Sequence, residues 1–454
     1  MESGNAVRAL CLAASLLLPV PGSGASGPEE LAPGGLGVGE RIEALERRIA
    51  ELEAERLRAP AAPNGSAKDE KQSILATLGV QLYGYLKLDA AFDTSRVDIG
   101  DYARWVFSEG GDAAKGQARR GDSQFSLTAN QTRLGLRFTG PAVAGAETGG
   151  LFEMDFYGGG AENKPNPMMR KAYLTVAWPD LDGKLLAGQD ADLISPLVPE
   201  TVNYSVLWWV GNIGYRRAQF RATKGFDLGR GARFELAAAA TRTVGTSTAF
   251  ETGADTGEDA GFPTAQGRAA LSLPLLTSRP TTLGVSGHFG REEYDAPGGI
   301  SEKLDSWSVN CDATIPVLSW LSVKGEGFLG ANLDEYLGGI GQGLKIVTAD
   351  LDSDGKPDVL VSADEVRSYG GWILASAGPF GGCRFNAGAS IDAADPGDLK
   401  TGDRKRNLTY LGNVFYRFYE AVEVALEVSY WRTEYVGAKH GDALRVQTAL
   451  IFNF

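Results

Sequence analysis

Arginine and lysine recur at alternate positions along runs that otherwise read as β-strands: Arg133 and Arg137, Lys171, Arg217 and Arg221, Arg384, and Arg445. With a side-chain period of two, Arg133 and Arg137 share one face of their strand, as do Arg217 and Arg221 of theirs. A guanidinium offers a planar fork of donors that grips a carboxylate bidentately, whereas the Lys171 ammonium acts as a point charge. A row of such groups along one water-filled wall is a ladder of weak sites for organic anions, with Arg133, Arg137, Arg217 and Arg221 expected at its narrowest point. Acids on other runs, Asp312, Glu326, Glu423 and Glu427, set a counter-field, so anion preference, weak selectivity and cation preference all stay open.

Residues 193–214 have a different chemistry. The segment carries Glu200, Asn203, Tyr204, Trp208 and Trp209 after Pro196 and Pro199. Two adjacent indoles do not stay in water, since burying each is worth about 1.5–3 kcal/mol. These five residues are expected to fold inward and narrow a channel; a contact loop between subunits is the alternative.

Further along, Asp350, Asp352, Asp354 and Asp358 surround Gly355 at the spacing of a calcium loop, alternate carboxylates converging on one hard cation. Position twelve is Val361 rather than a bidentate Glu, so a full EF-hand is absent. Structural calcium in an extracellular loop and a solvated acidic hairpin tip are the two readings. No other cofactor is expected. The only histidines are His288 and His440, and neither has a triad partner readable from sequence, so no enzyme is expected.

Those cations must be held by elements that keep them from lipid, because an Arg facing the bilayer midplane from a barrel costs about 2–4 kcal/mol. The final strand alternates strictly: Val446, Leu450, Phe452 and Phe454 fall on one face, and Arg445, Gln447 and Asn453 on the other. The same alternation recurs from residue 79 onward, with connections that are by turns long and tight, as in a barrel with long outer loops and short inner turns. Composition agrees, with 60 Gly, 3 Cys, 4 Met and 2 His, and no interior run suits a spanning helix. Only helices and closed barrels satisfy every backbone group in lipid. The expectation is an all-β, transmembrane antiparallel β-barrel of about sixteen strands over 77–454, with a short N-terminal coiled-coil helix. Trp105, Trp178, Trp320, Trp372, Phe418, Tyr419, Tyr430, Trp431 and Tyr435 are expected in its two interfacial girdles.

Ahead of the barrel, 1–25 reads as a secretory signal peptide and 26–38 as a Gly/Pro spacer. Residues 39–59 form a short periplasmic helix whose Ile42, Leu45, Ile49 and Leu52 make a heptad seam, and 60–76 is a linker. Cys11 leaves with the signal peptide; Cys311 and Cys383 are expected to remain as free thiols.

The run Tyr83-Gly84-Tyr85-Leu86-Lys87-Leu88-Asp89-Ala90 followed by Phe92-Asp93 resembles the first strand of the DcaP-like family of Gram-negative trimeric porins. Gln131-Thr132-Arg133-Leu134-Gly135-Leu136-Arg137-Phe138 and Pro167-Met168-Met169-Arg170-Lys171-Ala172-Tyr173-Leu174 extend the likeness. So do Gly188-Gln189-Asp190-x-Asp192 and Ser429-Tyr430-Trp431-Arg432-Thr433-Glu434-Tyr435, which leads into 442–448. The order of signal, heptad helix, linker and barrel is similar too, and phosphate-selective porins share it. The resemblance implies a homotrimer in the bacterial outer membrane, surrounded by lipid, passing small organic anions such as dicarboxylates. A phosphate-selective channel, a weakly selective general porin, and a non-conducting barrel tethering cell-envelope components through its N-terminal helix are the alternatives. No nucleic-acid partner is expected.

Overall fold

The computed structural model describes residues 79–159, 165–245, 257–296, 300–351 and 359–454, and the expected signal peptide, spacer, heptad helix and linker lie outside them. The strands are β1 (Val80–Asp93), β2 (Gln124–Thr128), β3 (Arg133–Thr139), β4 (Glu147–Asp155), β5 (Met168–Trp178), β6 (Gly183–Ala191) and β7 (Arg216–Gly229). There follow β8 (Ala232–Thr241), β9 (Thr264–Leu273), β10 (Thr281–Ala296), β11 (Ile300–Pro316), β12 (Leu321–Ala331), β13 (Leu344–Ala349) and β14 (Val359–Glu365). The last five are β15 (Arg367–Phe380), β16 (Cys383–Ala394), β17 (Arg404–Arg417), β18 (Val422–Tyr435) and β19 (Ala438–Asn453).

All but β13 and β14 form one closed antiparallel sheet, and β19 returns to β1 from Tyr85↔Asn453 to Asp93↔Arg445. Strands β2 and β3 both pair with β1, end to end, so the seventeen strands make sixteen staves. At the break between them, Thr132 Oγ1 accepts from the Lys87 amide at 3.2 Å. Strands β13 and β14 flank the acidic motif that begins at Asp350, where a hairpin is one of the two readings; they stand apart from the barrel sheet and pack through Leu344, Ile346 and Leu360 on Leu304.

The alternation dictates which side is wet. Along β1, Lys87, Asp89 and Asp93 are buried inside the ring while Leu86, Leu88 and Phe92 are exposed on its outer surface. Phe220 is 75 % exposed, and in a lipid setting a side chain of this kind gains about 1.5–3 kcal/mol. An exposed band of Leu, Val and Phe is what a spanning barrel presents to acyl chains.

One end of the barrel carries tight turns. Arg230-Gly231 and Gly381-Gly382 have positive φ throughout (54° and 78°, 56° and 86°), the conformation that matches the twist of the flanking strands. Strands β7 and β8 stay paired to Gly229↔Ala232, which leaves Arg230 and Gly231 as the turn between them and sets Phe226 beside Phe234 on the outer face. At the other end lie the long connections 94–123, 192–215 and 332–366.

The girdle expectation holds only in part. Trp320 and Phe380 (5.7 Å between centroids) and Phe418 and Tyr419 (5.2 Å) cluster at the short-turn end. Trp372 and Trp431 are instead buried within the ring, where Val97, Val106, Leu207 and Val210 from two inward loops form an apolar core around them. Their parity is inward, and their indole N–H groups donate to Glu326 at 3.0 Å and Ser429 at 2.9 Å. Tyr435 is inward as well, donating to the Val106 carbonyl at 2.6 Å. Cys311 and Cys383 are both free thiols.

Candidate pore and its constriction loop

Residues 192–215 join β6 to β7 and cross the interior of the barrel. At the near edge, Asp192 takes the Tyr215 amide (2.9 Å), Gln266 Nε2 (2.7 Å) and Arg217 (3.0 Å). Across the ring, Glu326 accepts from Ser195 Oγ (2.5 Å) and the Leu197 amide (2.8 Å). Glu427 accepts the amides of Val202 (2.8 Å) and Asn203 (3.3 Å), and Lys87 donates to the Val202 carbonyl at 3.0 Å. Two interior carboxyl groups thus staple loop backbone to the wall, each accepting from groups of the loop on the far side of the ring. The loop lies so close that a Cβ on Gly211 (φ 128°) would meet the Gly371 carbonyl oxygen at 2.3 Å.

Each residue expected at the constriction has a defined place. Glu200 accepts from Arg384 at 2.8 Å, and Asn203 Nδ2 donates to the Ala103 carbonyl at 3.2 Å. Tyr204 Oη donates to Asp155 at 3.1 Å, and its ring lies 4.0 Å from Tyr157 and 5.2 Å from Tyr102. Trp208 meets Trp209 edge-on at 6.2 Å, and the Trp209 amide donates to the Leu337 carbonyl at 2.8 Å. Two segments that sequence reading left as plain loops also enter the ring. Residues 94–123 place Arg104 between the Trp105 and Trp209 rings (4.3 and 4.9 Å), and residues 332–343 bury Leu333, Tyr336 and Ile340. Within 94–123, burial pushes the Asp98 carboxyl up, opposed by Arg104.

The expected cations all lie on interior-facing positions, but they divide into two groups. Arg445 is fully buried, bound to Asp93 at 2.8 Å and to the Gly100 and Asp101 carbonyls at 3.1 Å. Arg217 is equally covered, between Asp192, the Glu335 carbonyl (2.9 Å) and the Tyr336 ring. Arg384 bridges Glu200 and Glu423. These three hold loops and wall together, and Arg217 and Arg445 are closed off from the open interior. Lys171 and Arg221, in contrast, line an open cavity of about 560 Å³ and share one carboxylate, Asp190, at 2.9 and 3.4 Å. Arg133 stands 3.7 Å from Glu153, and Arg137 is exposed, with Gln81 at 3.4 Å.

The cavity adds cations that the sequence reading passed over: Lys184, Arg233 and Arg268. Parity alone would have found them, since Lys184 alternates with the outward Leu185 and Arg268 with the outward Ala269. Arg268 pairs with Asp312 (2.7 Å), and Arg233 holds the carboxyl of Asp182, in the adjoining turn, below its usual range. Arg170 was hidden by a bulge between Glu153 and Met154 that turns it inward onto Glu153 (2.9 Å) and Asp155 (2.6 Å).

His288 does have hydroxyl partners, unlike the sequence expectation: Ser308 Oγ lies 2.7 Å from Nδ1 and Ser306 Oγ 3.0 Å from Nε2. All three are buried under Tyr336, so neither serine faces solvent as a nucleophile would. Of the acidic calcium motif, Asp350 is described; Asp352, Asp354 and Asp358 lie outside the described residues.

No protein-family model matches the chain, and no curated protein matches it in sequence. Solved structures do. The outer membrane channel DcaP of Acinetobacter baumannii is 17% identical with a TM-score of 0.61, over 83% of this chain and 97% of that one. An anion-selective porin from Comamonas acidovorans is 14% identical with a TM-score of 0.50, over 83% and 99%. The closed sixteen-stave barrel is therefore the fold of outer-membrane channels, the DcaP channel among them.

Proposed function

We propose that this chain is an outer-membrane porin, a passive diffusion channel with a preference for small organic anions such as dicarboxylates. The short-turn end would face the periplasm, where the N-terminal helix would lie, and three copies would assemble in the membrane. The fold and the greasy outer band support the location, and the inward loop supports a size limit on what passes.

One observation carries the anion preference: two cations, Lys171 and Arg221, share the single carboxylate Asp190 on the cavity wall. A solute carboxylate can complete that coordination by charge-assisted bonds and leave again, because the resident acid already holds part of the charge. Lys184 on the same wall and Arg137 nearby have no carboxylate partner among the described residues, so the local balance is positive.

A weakly selective channel is the competing reading, favoured by the acids Asp182, Asp190, Asp192 and Glu235 standing on the same cavity wall. Liposome swelling separates the two. The anion reading expects mono- and dicarboxylates to enter faster than neutral or cationic solutes of equal size, and equal rates for all would sink it.

A further inference from the structure

On the outer face of the barrel, at its long-loop end, charges mostly stand in balanced or acid-rich groups. Arg291 meets Asp305 at 2.7 Å, Lys303 meets Glu293 at 3.5 Å, and Arg367 lies between Asp395 and Asp398. The ends of β17, β18 and β19 differ. There Lys405 (3.8 Å), Arg406 and Arg432 (3.6 Å) all converge on one carboxylate, Glu434, and Arg432 also reaches Asp442 at 3.6 Å. Cations outnumber carboxylates in this cluster, and the exposed Lys439 adds to the excess.

Direction and height specify what such a cluster meets. Arg432 and Glu434 alternate with Trp431, Thr433 and Tyr435, which are buried inside the ring, so the charged pair points away from the pore. Below them on the same outward face come Tyr430, Val428, Leu426 and Val424. From Val424 to Arg432 the strand rises about 26 Å, or roughly 20 Å along the axis of a barrel tilted near 40°. That is close to the height of the lipid-facing band, so the cations sit where acyl chains give way to headgroups. Tyr430 Oη donates to Asp442 at 2.6 Å, an aromatic ring at the same boundary with its polar tip upward.

We propose that this face binds the phosphate groups of an anionic lipid in the outer leaflet. Glu434 is 18% exposed against 50% for Arg406 and 37% for Arg432, so the acid lies beneath and fixes the cations while their outer N–H groups stay available. Guanidinium forks held in place are suited to phosphate oxygens, and Arg406, Arg432 and Lys405 against Glu434 and Asp442 retain net charge toward the lipid. The assignment of leaflet rests on the outer-membrane reading above.

The test uses the purified full chain in detergent, titrated by native mass spectrometry with bis-phosphorylated lipid A, with the same lipid lacking its phosphates, and with inorganic phosphate as competitor. The wild-type chain retains the phosphorylated lipid, inorganic phosphate at equal concentration does not displace it, and R406Q/R432Q binds about 30-fold more weakly. The charge-preserving R406K/R432K loses less. Heat-modifiable gel migration establishes that each variant is folded, and an unchanged conductance is expected because none of these groups faces the pore. Equal affinity of wild type and R406Q/R432Q, or equal binding of the two lipids, overturns the proposal. So does loss of the oligomer with lipid binding intact, which would assign the face to a second copy of the chain. A wild-type chain that binds lipid yet carries no current would defeat the porin reading and leave this one standing.

Discussion

The two sides of the barrel wall obey the same alternation and end in opposite conditions. From β5 to β9 the inward side chains nearer the short turns look onto an open cavity, and Lys171, Lys184, Arg221 and Arg268 are in reach of whatever fills it, while Arg217 at the long-loop end of β7 is already covered. From β15 through β19 to β1 the inward side chains are just as polar, yet Asp392, Asn407, Thr409, Glu427 and Arg445 are buried, because three loops lie on them. Parity decides that a residue faces inward. Only the loops decide whether it then meets solute or protein. On the proposed function an uncovered cation can select among ions, whereas a covered one, Arg217 on β7 or Arg445 on β19, holds the loops in place.

That contrast predicts a graded set of effects. The largest belongs to the covered side: Arg445→Ala strands Asp93 as a buried charge and is expected to destabilise the barrel by about 3–5 kcal/mol in urea unfolding, with the ion permeability ratio unmoved. Glu427→Ala should come next. It takes the acceptor away from two amides of the crossing loop, about 0.5–1.5 kcal/mol per bond, and frees the loop near Val202. Single-channel recordings should then show a larger and noisier conductance; an unaltered trace would mean that the loop does not limit flow.

On the open side the expected stability effects are small and the selectivity effects are the readout. Arg221→Gln removes one of two cations on Asp190 and should lower the anion-to-cation ratio several-fold in dilute salt, with the difference shrinking as ionic strength rises above about 0.1 M. Lys184→Gln, with no carboxylate partner among the described residues to disturb, should shift the ratio least and leave unfolding within about 0.5 kcal/mol of wild type. If Arg217→Gln moved the ratio as much as Arg221→Gln, the division between covered and open cations would be wrong.

Strands were the most legible part of the sequence. The period of two is local, and a lipid face tolerates few exceptions to it, so β5 and β18 fall where the alternation puts them, and the closing strand carries its inward Arg445 and Gln447 opposite outward Val446 and Leu450. The inward 192–215 loop was legible for another reason, that Trp208 and Trp209 could not stay in water. Less could be read of the loops from 94 and from 332, whose Val97, Val106, Leu333 and Ile340 are scattered without a period and gain meaning only when the ring closes around them. Burial of Arg217 and Arg445 was illegible for the same reason, since each is covered by backbone distant in sequence. Arg170 was lost to a single extra residue in β5, enough to invert the parity on which the ladder was drawn.

The central claim is that the open wall, and not the sum of interior arginines, sets the sign of ion preference. Reversal potential across a planar bilayer in a salt gradient tests it most directly, comparing the wild-type chain with K171E/R221E. The account predicts an anion-favouring potential that changes sign in the variant; the same potential in both chains would contradict it.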